Sequence, residues 1–224
     1  MSTYLNPNFL RLINKDIVNT IFECGSMDGI DTVELHDYFH NASIFAFEIA
    51  DYNIITLHKR LDNVPNVFII EKALSDNVGF VDFYQHDVHN SKDKNIGISS
   101  LLPIKYDRRS IGMANINEDE IIMNKKSISA VSVDYMSEQL NRKPDLLCLD
   151  AQGGELKILN GANETLRYIR YIITEVNYLP TYENMPIFDD INKFLAQRNF
   201  ICEYKTNESF FGDAIFVNKG NDVL

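Results

Sequence analysis

The chain has 224 residues, 45 % of them hydrophobic, enough for one large domain whose core needs neither disulfides nor a structural metal. Lys and Arg number 21 against 32 Asp and Glu, for a formal charge of −11. Such a surface repels a phosphate backbone, so nucleic acid is excluded as an expected partner, whereas a neutral or cationic small molecule is not.

The first residues, MSTYLNPNFLRLINKD, lack the basic flank, apolar stretch and cleavage site of a signal peptide. No apolar run is long enough to cross a bilayer, so the expectation is a cytoplasmic protein without a membrane partner. Asn6-Pro7 reads as a cap with Pro at the first helical position, opening a short helix to about Lys15 within an N-terminal helical segment, residues 1–18. Strands are then predicted at IVNTIFEC, SIFAFEI and NVFIIEKAL, with helices at DTVELHDYFHN and DYNIITLHKRL between them. These strands are nearly continuous apolar runs, as expected of a parallel sheet covered on both faces. VGFVDFYQ and SAVSVDYM read as further short strands. The polar stretch between them, taken as residues 85–127, reads as a lid-like insertion.

The α/β rhythm resumes with DLLCLD (strand), GELKILNGANETLRY (helix), YIITEV (strand) and PIFDDINKFLAQRN (helix). FICEYK and DAIFVNK close the chain as a hairpin around TNESFFG. The architecture expected is a doubly wound, Rossmann-like α/β sheet in a single domain, residues 1–224, mostly parallel with a C-terminal antiparallel strand. Cys24, Cys148 and Cys202 are odd in number and lie in or beside apolar runs, which suits reduced core thiols.

The turn after the first strand, ECGSMDG, is neither a P-loop, since no Lys follows, nor G-x-G-x-x-G, since Met27 and Ile30 occupy the second and third glycine positions. Glu23 and Asp28 suit a cationic ligand, and S-adenosyl-L-methionine carries a sulfonium and an ammonium. Gly25, Ser26 and Gly29 are expected to bring the main chain close to its aminoacyl end. Glu48, followed by Ile49, ends the second strand, where an acid accepts ribose hydroxyls. Ala73, Leu74 and Ser75 follow the third strand, where an adenine edge would lie.

At this point the chain resembles the FkbM-type S-adenosylmethionine-dependent methyltransferase family. The resemblance runs from about Ile21 to Val217 and is strongest in DLLCLDAQGGELKILNGA, where Asp150, Gln152, Gly153, Glu155, Leu159, Gly161 and Ala162 fall on the family signature. Glu23-Cys24-Gly25, Glu48, Ser99-Ser100-Leu101, Glu175-Val176 and Asp213-Ala214 match further stretches. Cys148 stands where the family often has Lys, and Cys24 and Met27 also depart from its commoner residues. The resemblance implies a methyltransferase sheet of about seven strands and O-methyl transfer to a hydroxyl of a sugar, glycan or natural product. The alternative is a non-catalytic adenosyl-binding or assembly protein with the same fold.

Asp150 and Glu175 end successive predicted strands and Asp213 begins the last, so all three are expected at one sheet edge as catalytic groups. Asp150 also counts among the cofactor-binding candidates, and Asp150 with Glu175 is the candidate Mg²⁺ pair. Glu155 reads at least as well as a helix cap. His86 and His89 are read as loop surface, with a general base as the less favoured role. Tyr178 and Tyr182 read either as stacking surfaces for a sugar ring or as loop packing. Homo-oligomerisation stays open.

Overall fold

The computed structural model describes residues 3–105, 121–206 and 210–220. Asn6 accepts a hydrogen bond from the Asn8 amide and caps a single helical turn, α1 (Pro7–Leu10). This helix ends short of Lys15 because Asn14 caps a separate 3₁₀ turn, Lys15–Ile17, through the Asp16 amide.

Next come β1 (Thr20–Cys24), α2 (Ile30–Tyr38), β2 (Ser43–Phe47), α3 (Asp51–Leu61) and β3 (Val67–Ile70). The middle holds β4 (Ala73–Leu74), β5 (Gly79–His86), β6 (Met123–Val131) and α4 (Val133–Gln139). The remainder is β7 (Leu146–Leu149), α5 (Glu155–Asn160), β8 (Tyr171–Asn177), α6 (Phe188–Ala196), β9 (Phe200–Lys205) and β10 (Phe211–Asn218).

Among the described residues the main sheet has seven strands in the order β3-β2-β1-β7-β8-β10-β9. β10 runs antiparallel to both neighbours and the other pairs are parallel. Alternate residues of each strand face opposite sides. Phe22, Phe45, Leu147, Leu149 and Ile172 therefore build one core layer, and Ile21, Ile44, Leu146, Cys148 and Ile173 the other. All three cysteines are free, Cys24 and Cys148 buried and Cys202 half-buried. No helix among the described residues is long and apolar enough to cross a membrane.

Three local expectations are corrected. NVFIIEKAL is not one strand: it breaks at exposed Glu71-Lys72, and β4 leaves the main sheet to pair with β6 in a small β4-β6-β5 sheet. SAVSVDYM is strand only to Val131, because the Ser132 hydroxyl accepts from the Tyr135 amide and starts α4. The helix expected through Tyr168 stops at Asn160, where Gly161 packs against the Ser75 carbonyl so closely that a Cβ would lie 2.1 Å from its oxygen. Of the stretch expected as an insertion, Gln85, His86 and Met123–Ser127 belong to the β5–β6 ladder, and residues 106–120 lie outside the described residues. The hairpin strands β9 and β10 pair as expected, and residues 207–209 of their turn lie outside the described residues.

Candidate active site

β1 is flanked by β2 on one side and β7 on the other, so the sheet reverses its winding there and leaves a crevice at the strands' C-terminal ends. A cavity of about 250 Å³ fills that crevice. Of the residues expected to bind a ligand, Gly25, Ser26, Asp28, Glu48 and Ile49 line it. So do Ala73, Leu74 and Asp150. Glu23, Gly29 and Ser75 stand behind the lining, and Glu175 and Asp213 lie outside it.

The glycine turn serves the protein's own packing. Gly25 has φ +85° and its amide donates to the Phe47 carbonyl (3.0 Å), as does that of Ser26 (3.2 Å). A Cβ on Gly25 would lie 2.0 Å from the Asp150 carbonyl oxygen, so this glycine is required by β7. Gly29 (φ +79°) precedes α2, and a Cβ there would lie 2.9 Å from Leu57 Cδ1 of α3. Both glycines are thus set by contacts within the protein, and Gly25 in addition lines the cavity.

Glu23 is also corrected. It is fully buried, and its Oε2 accepts from the Ser26 hydroxyl (3.0 Å) and the Thr32 hydroxyl (2.6 Å). It braces the turn against α2 from below. Its Oε1 has no hydrogen-bond partner among the described residues, and burial raises its pKa to about 7. Asp28 reaches the cavity edge, but its carboxylate is paired with Arg60 (3.2 Å), whose Nε also donates to the Asp28 carbonyl. Its charge is engaged by the protein itself.

Glu48 follows β2 and projects into the crevice with 7 % exposure. Its Oε1 accepts from the amides of Ile49 (2.6 Å) and Ala50 (2.8 Å), and its Oε2 from Asn53 Nδ2 (3.3 Å). Burial raises its pKa, and the hydrogen bonds from Ala50, Ile49, Asn53 and the Met27 amide oppose that rise. The carboxylate is thereby held in one orientation at the start of α3. Asn53, buried and lining the cavity, was not anticipated from the sequence.

At the far side, Asp150 and Glu175 are joined through one amide. Gln152 Nε2 donates to Asp150 Oδ1 (2.8 Å) and to Glu175 Oε2 (3.3 Å). Two carboxylate acceptors on the same side decide which end of that amide is nitrogen. Asp213 sits directly across the β8–β10 pair from Glu175. Burial raises the pKa of Asp150, against the Gln152 hydrogen bond, which lowers it. Glu175 is raised well above the usual carboxylate range, by burial first and then by the charges of Asp150, Glu155 and Asp213. Glu155 accepts from the Ala151 (2.9 Å) and Gly153 (3.2 Å) amides, so it holds the loop before α5 and not, as the capping reading expected, the helix's own first amides, and burial lifts its pKa to about 7.

The front wall is the segment Ile96–Leu101, whose Ile96, Gly97 and Ser99 line the cavity with Ser100 and Leu101. The Tyr52 hydroxyl ties it to α3 through Ile96 O (3.2 Å) and Ser99 Oγ (2.9 Å). Ser100 exchanges two backbone bonds with Tyr84 and gives its hydroxyl to the Gln152 carbonyl (2.7 Å). His86 departs from the surface reading. It ends β5 fully buried, with Nδ1 2.8 Å from the Asn95 carbonyl, outside the cavity lining. His89 is exposed on its loop, as expected. Tyr182 is 2 % exposed, with its hydroxyl on Ile98 O (3.0 Å) and Gln152 Oε1 (3.1 Å), and Tyr178 bonds the Thr206 carbonyl (2.8 Å). Tyr182 is buried in its loop and presents no open ring face for a sugar, whereas Tyr178 is half-buried.

This crevice carries a family signature. The model of the methyltransferase FkbM domain matches residues 23–202. The chain belongs to the FkbM methyltransferase family. The FkbM domain is also similar in fold to solved structures. A methyltransferase FkbM from Methylobacillus flagellatus KT matches with TM-score 0.54 at 14 % identity, over 89 % of this chain and 43 % of that one. The fibrillarin pre-rRNA processing protein of Methanococcus jannaschii matches with TM-score 0.54 at 12 % identity, over 96 % of this chain and 77 % of that one. At such identities the likeness is one of fold, and the chain spans under half the length of the Methylobacillus protein. No curated protein sequence matches the chain significantly.

The Mg²⁺ expected between Asp150 and Glu175 does not fit this FkbM domain. The position between the two carboxylates is taken by the amide nitrogen of Gln152, a donor where a cation needs acceptors. Among the described residues no group of three or more His, Cys, Asp or Glu side chains is arranged to hold a metal.

Proposed function

We propose that the FkbM domain is an S-adenosyl-L-methionine-dependent O-methyltransferase acting on a hydroxyl of a sugar, glycan or natural product. The observation that carries this reading is Glu48: a carboxylate held in one orientation by Ile49, Ala50 and Asn53, inside the crevice at the end of the second strand. In that place an acid accepts the paired hydroxyls of a ribose. The rest of the lining supports the same ligand. Asp31 and Asp150 join Glu48 there, Asp28 being paired with Arg60, and Lys72 is the single basic side chain among the lining residues. Such a surface favours a cation over a phosphate.

When bound, the cofactor supplies an electrophilic methyl carbon at its sulfonium. The protein's task is to align the acceptor and take its proton. Asp150 lies on the cavity wall and Gln152 donates to it, which supports Asp150 as the group that accepts the hydroxyl proton. Its raised pKa makes it a stronger base than a solvated aspartate. Glu175, bonded to the same amide, supplies a second acceptor for the acceptor's hydroxyls or for the departing proton, and Asp213 stands beside it.

Isothermal calorimetry with S-adenosyl-L-methionine and with its demethylated product tests the cofactor, and both are expected to bind. Incubation with methyl-labelled cofactor and a panel of sugars and glycan precursors, read by mass spectrometry, tests the reaction. Absence of binding for both compounds refutes the proposal. Label found only on nitrogen or carbon refutes the O-transfer part alone.

A further inference from the structure

We infer that Tyr182 is a positioning residue for the acid pair and acts through Gln152, holding that amide with its nitrogen toward Asp150 and Glu175. A side-chain amide has one donor end and one acceptor end and turns between two arrangements of equal shape. Here both ends are specified. The nitrogen gives one proton to Asp150 (2.8 Å) and the other to Glu175 (3.3 Å). The oxygen accepts from the Tyr182 hydroxyl (3.1 Å), which shares its proton with the Ile98 carbonyl (3.0 Å). The tyrosine ring cannot drift, because it is packed in a small core with Leu102, Ile104 and Met185.

The backbone points the same way. Gln152 has φ +49°, in the left-handed region that a residue with a Cβ seldom adopts. The strain is held by Ser100 Oγ on the Gln152 carbonyl and by Glu155 on the Ala151 and Gly153 amides. A strained residue fastened on both sides, with its side chain bonded in three directions, is built for aim.

Without the phenol the amide oxygen loses its donor, only the two carboxylates still hold the nitrogen toward them, and the turned arrangement, with the oxygen against the carboxylates, becomes more populated. That arrangement favours their protonated forms and removes the hydrogen bond that keeps Asp150 acidic. The inference rests on the reading of Asp150 as the proton acceptor in the proposed reaction, but its test needs no turnover.

The test is a carbon-13 NMR titration of the Asp and Glu side-chain carboxyls in wild type and Tyr182→Phe. The phenylalanine keeps the ring packing and loses only the hydroxyl. The expected result is that the Asp150 midpoint rises by about half a pH unit or more while Glu23, which does not interact with the acid pair, is unmoved. A purely structural role would lower the unfolding temperature and leave the Asp150 midpoint in place, which overturns the inference. Should the variant not fold, the nitrogen-15 side-chain amide signals of Gln152 in wild type decide. They are expected to shift with the same midpoint as Asp150, and signals that ignore the titration overturn the inference. Neither measurement depends on methyl transfer, so a failure here is separate from a failure of cofactor binding.

Discussion

Gly25 and Asp150 meet backbone to backbone across the top of the sheet, with a Cβ on the glycine falling 2.0 Å from the aspartate's carbonyl oxygen. The glycine that shapes the ligand turn therefore also sets the position of the candidate base. Gly25→Ala must push β7 away and take a φ of +85° that alanine resists. The expected loss of stability is about 3 kcal/mol or more, or failure to fold, measured by urea unfolding. A loss below about 1 kcal/mol would show that the contact yields easily.

Glu48→Gln keeps an acceptor for the Ile49 and Ala50 amides and removes the charge. Cofactor affinity measured by calorimetry is expected to fall roughly tenfold to a hundredfold, the range for a hydrogen bond to a charged group. Glu48→Ala is expected to lose the same affinity and also about 1 kcal/mol of stability, because the Ile49 and Ala50 amides lose their acceptor. Unchanged affinity in both variants would remove Glu48 from the site.

Asp150→Asn tests the proton acceptor. The methyl-transfer rate is expected to fall about 100-fold to 10,000-fold, with cofactor affinity kept within a few-fold. A variant that transfers methyl groups at the wild-type rate would rule out Asp150 as the base.

Glu23 and Glu155 have their pKa values lifted by burial to about 7 from an ordinary 4.5. Between those values the folded protein keeps protons that the unfolded chain gives up. Their contribution to stability is therefore complete below pH 4.5 and is lost as pH rises through 7, by about 1.4 kcal/mol per pH unit for each group. Urea unfolding is expected to give lower stability at pH 8 than at pH 5.5. Glu23→Gln, which still accepts from Ser26 and Thr32, is expected to flatten part of that slope. A stability that climbs between those two pH values would contradict the buried-acid account.

Much of the fold is readable in the chain because its strands are buried on both faces. The apolar run through Ile21 and Phe22 has a single use, and so do its counterparts in β2 and β7. Errors arose where a short-range device cut a long-range pattern. One hydroxyl, Ser132, converts the apolar run Ala130–Val133 from strand into helix. The site is less readable. Glu48 and Asp150 are recognisable as acids at strand ends, Glu175 lies inside β8, which runs on to Asn177, and Tyr182 and Ile98 meet across 84 positions, which no local spacing announces. The glycines were recognised as special while their neighbours were mistaken. Positive φ is a local property, whereas the atom that forbids a side chain at Gly25 belongs to Asp150.

The order in which the strands are laid side by side has a consequence for synthesis. β10 is made last yet lies between β8 and β9. While a ribosome is still short of residue 218, two strand edges stand open to stray pairing. Glu175 then lacks the cross-strand companion, Asp213, that completes the acid edge. Until β10 slots between them, β8 and β9 thus leave unfinished edges, and this is the interval in which a chaperone has most to offer the nascent polypeptide.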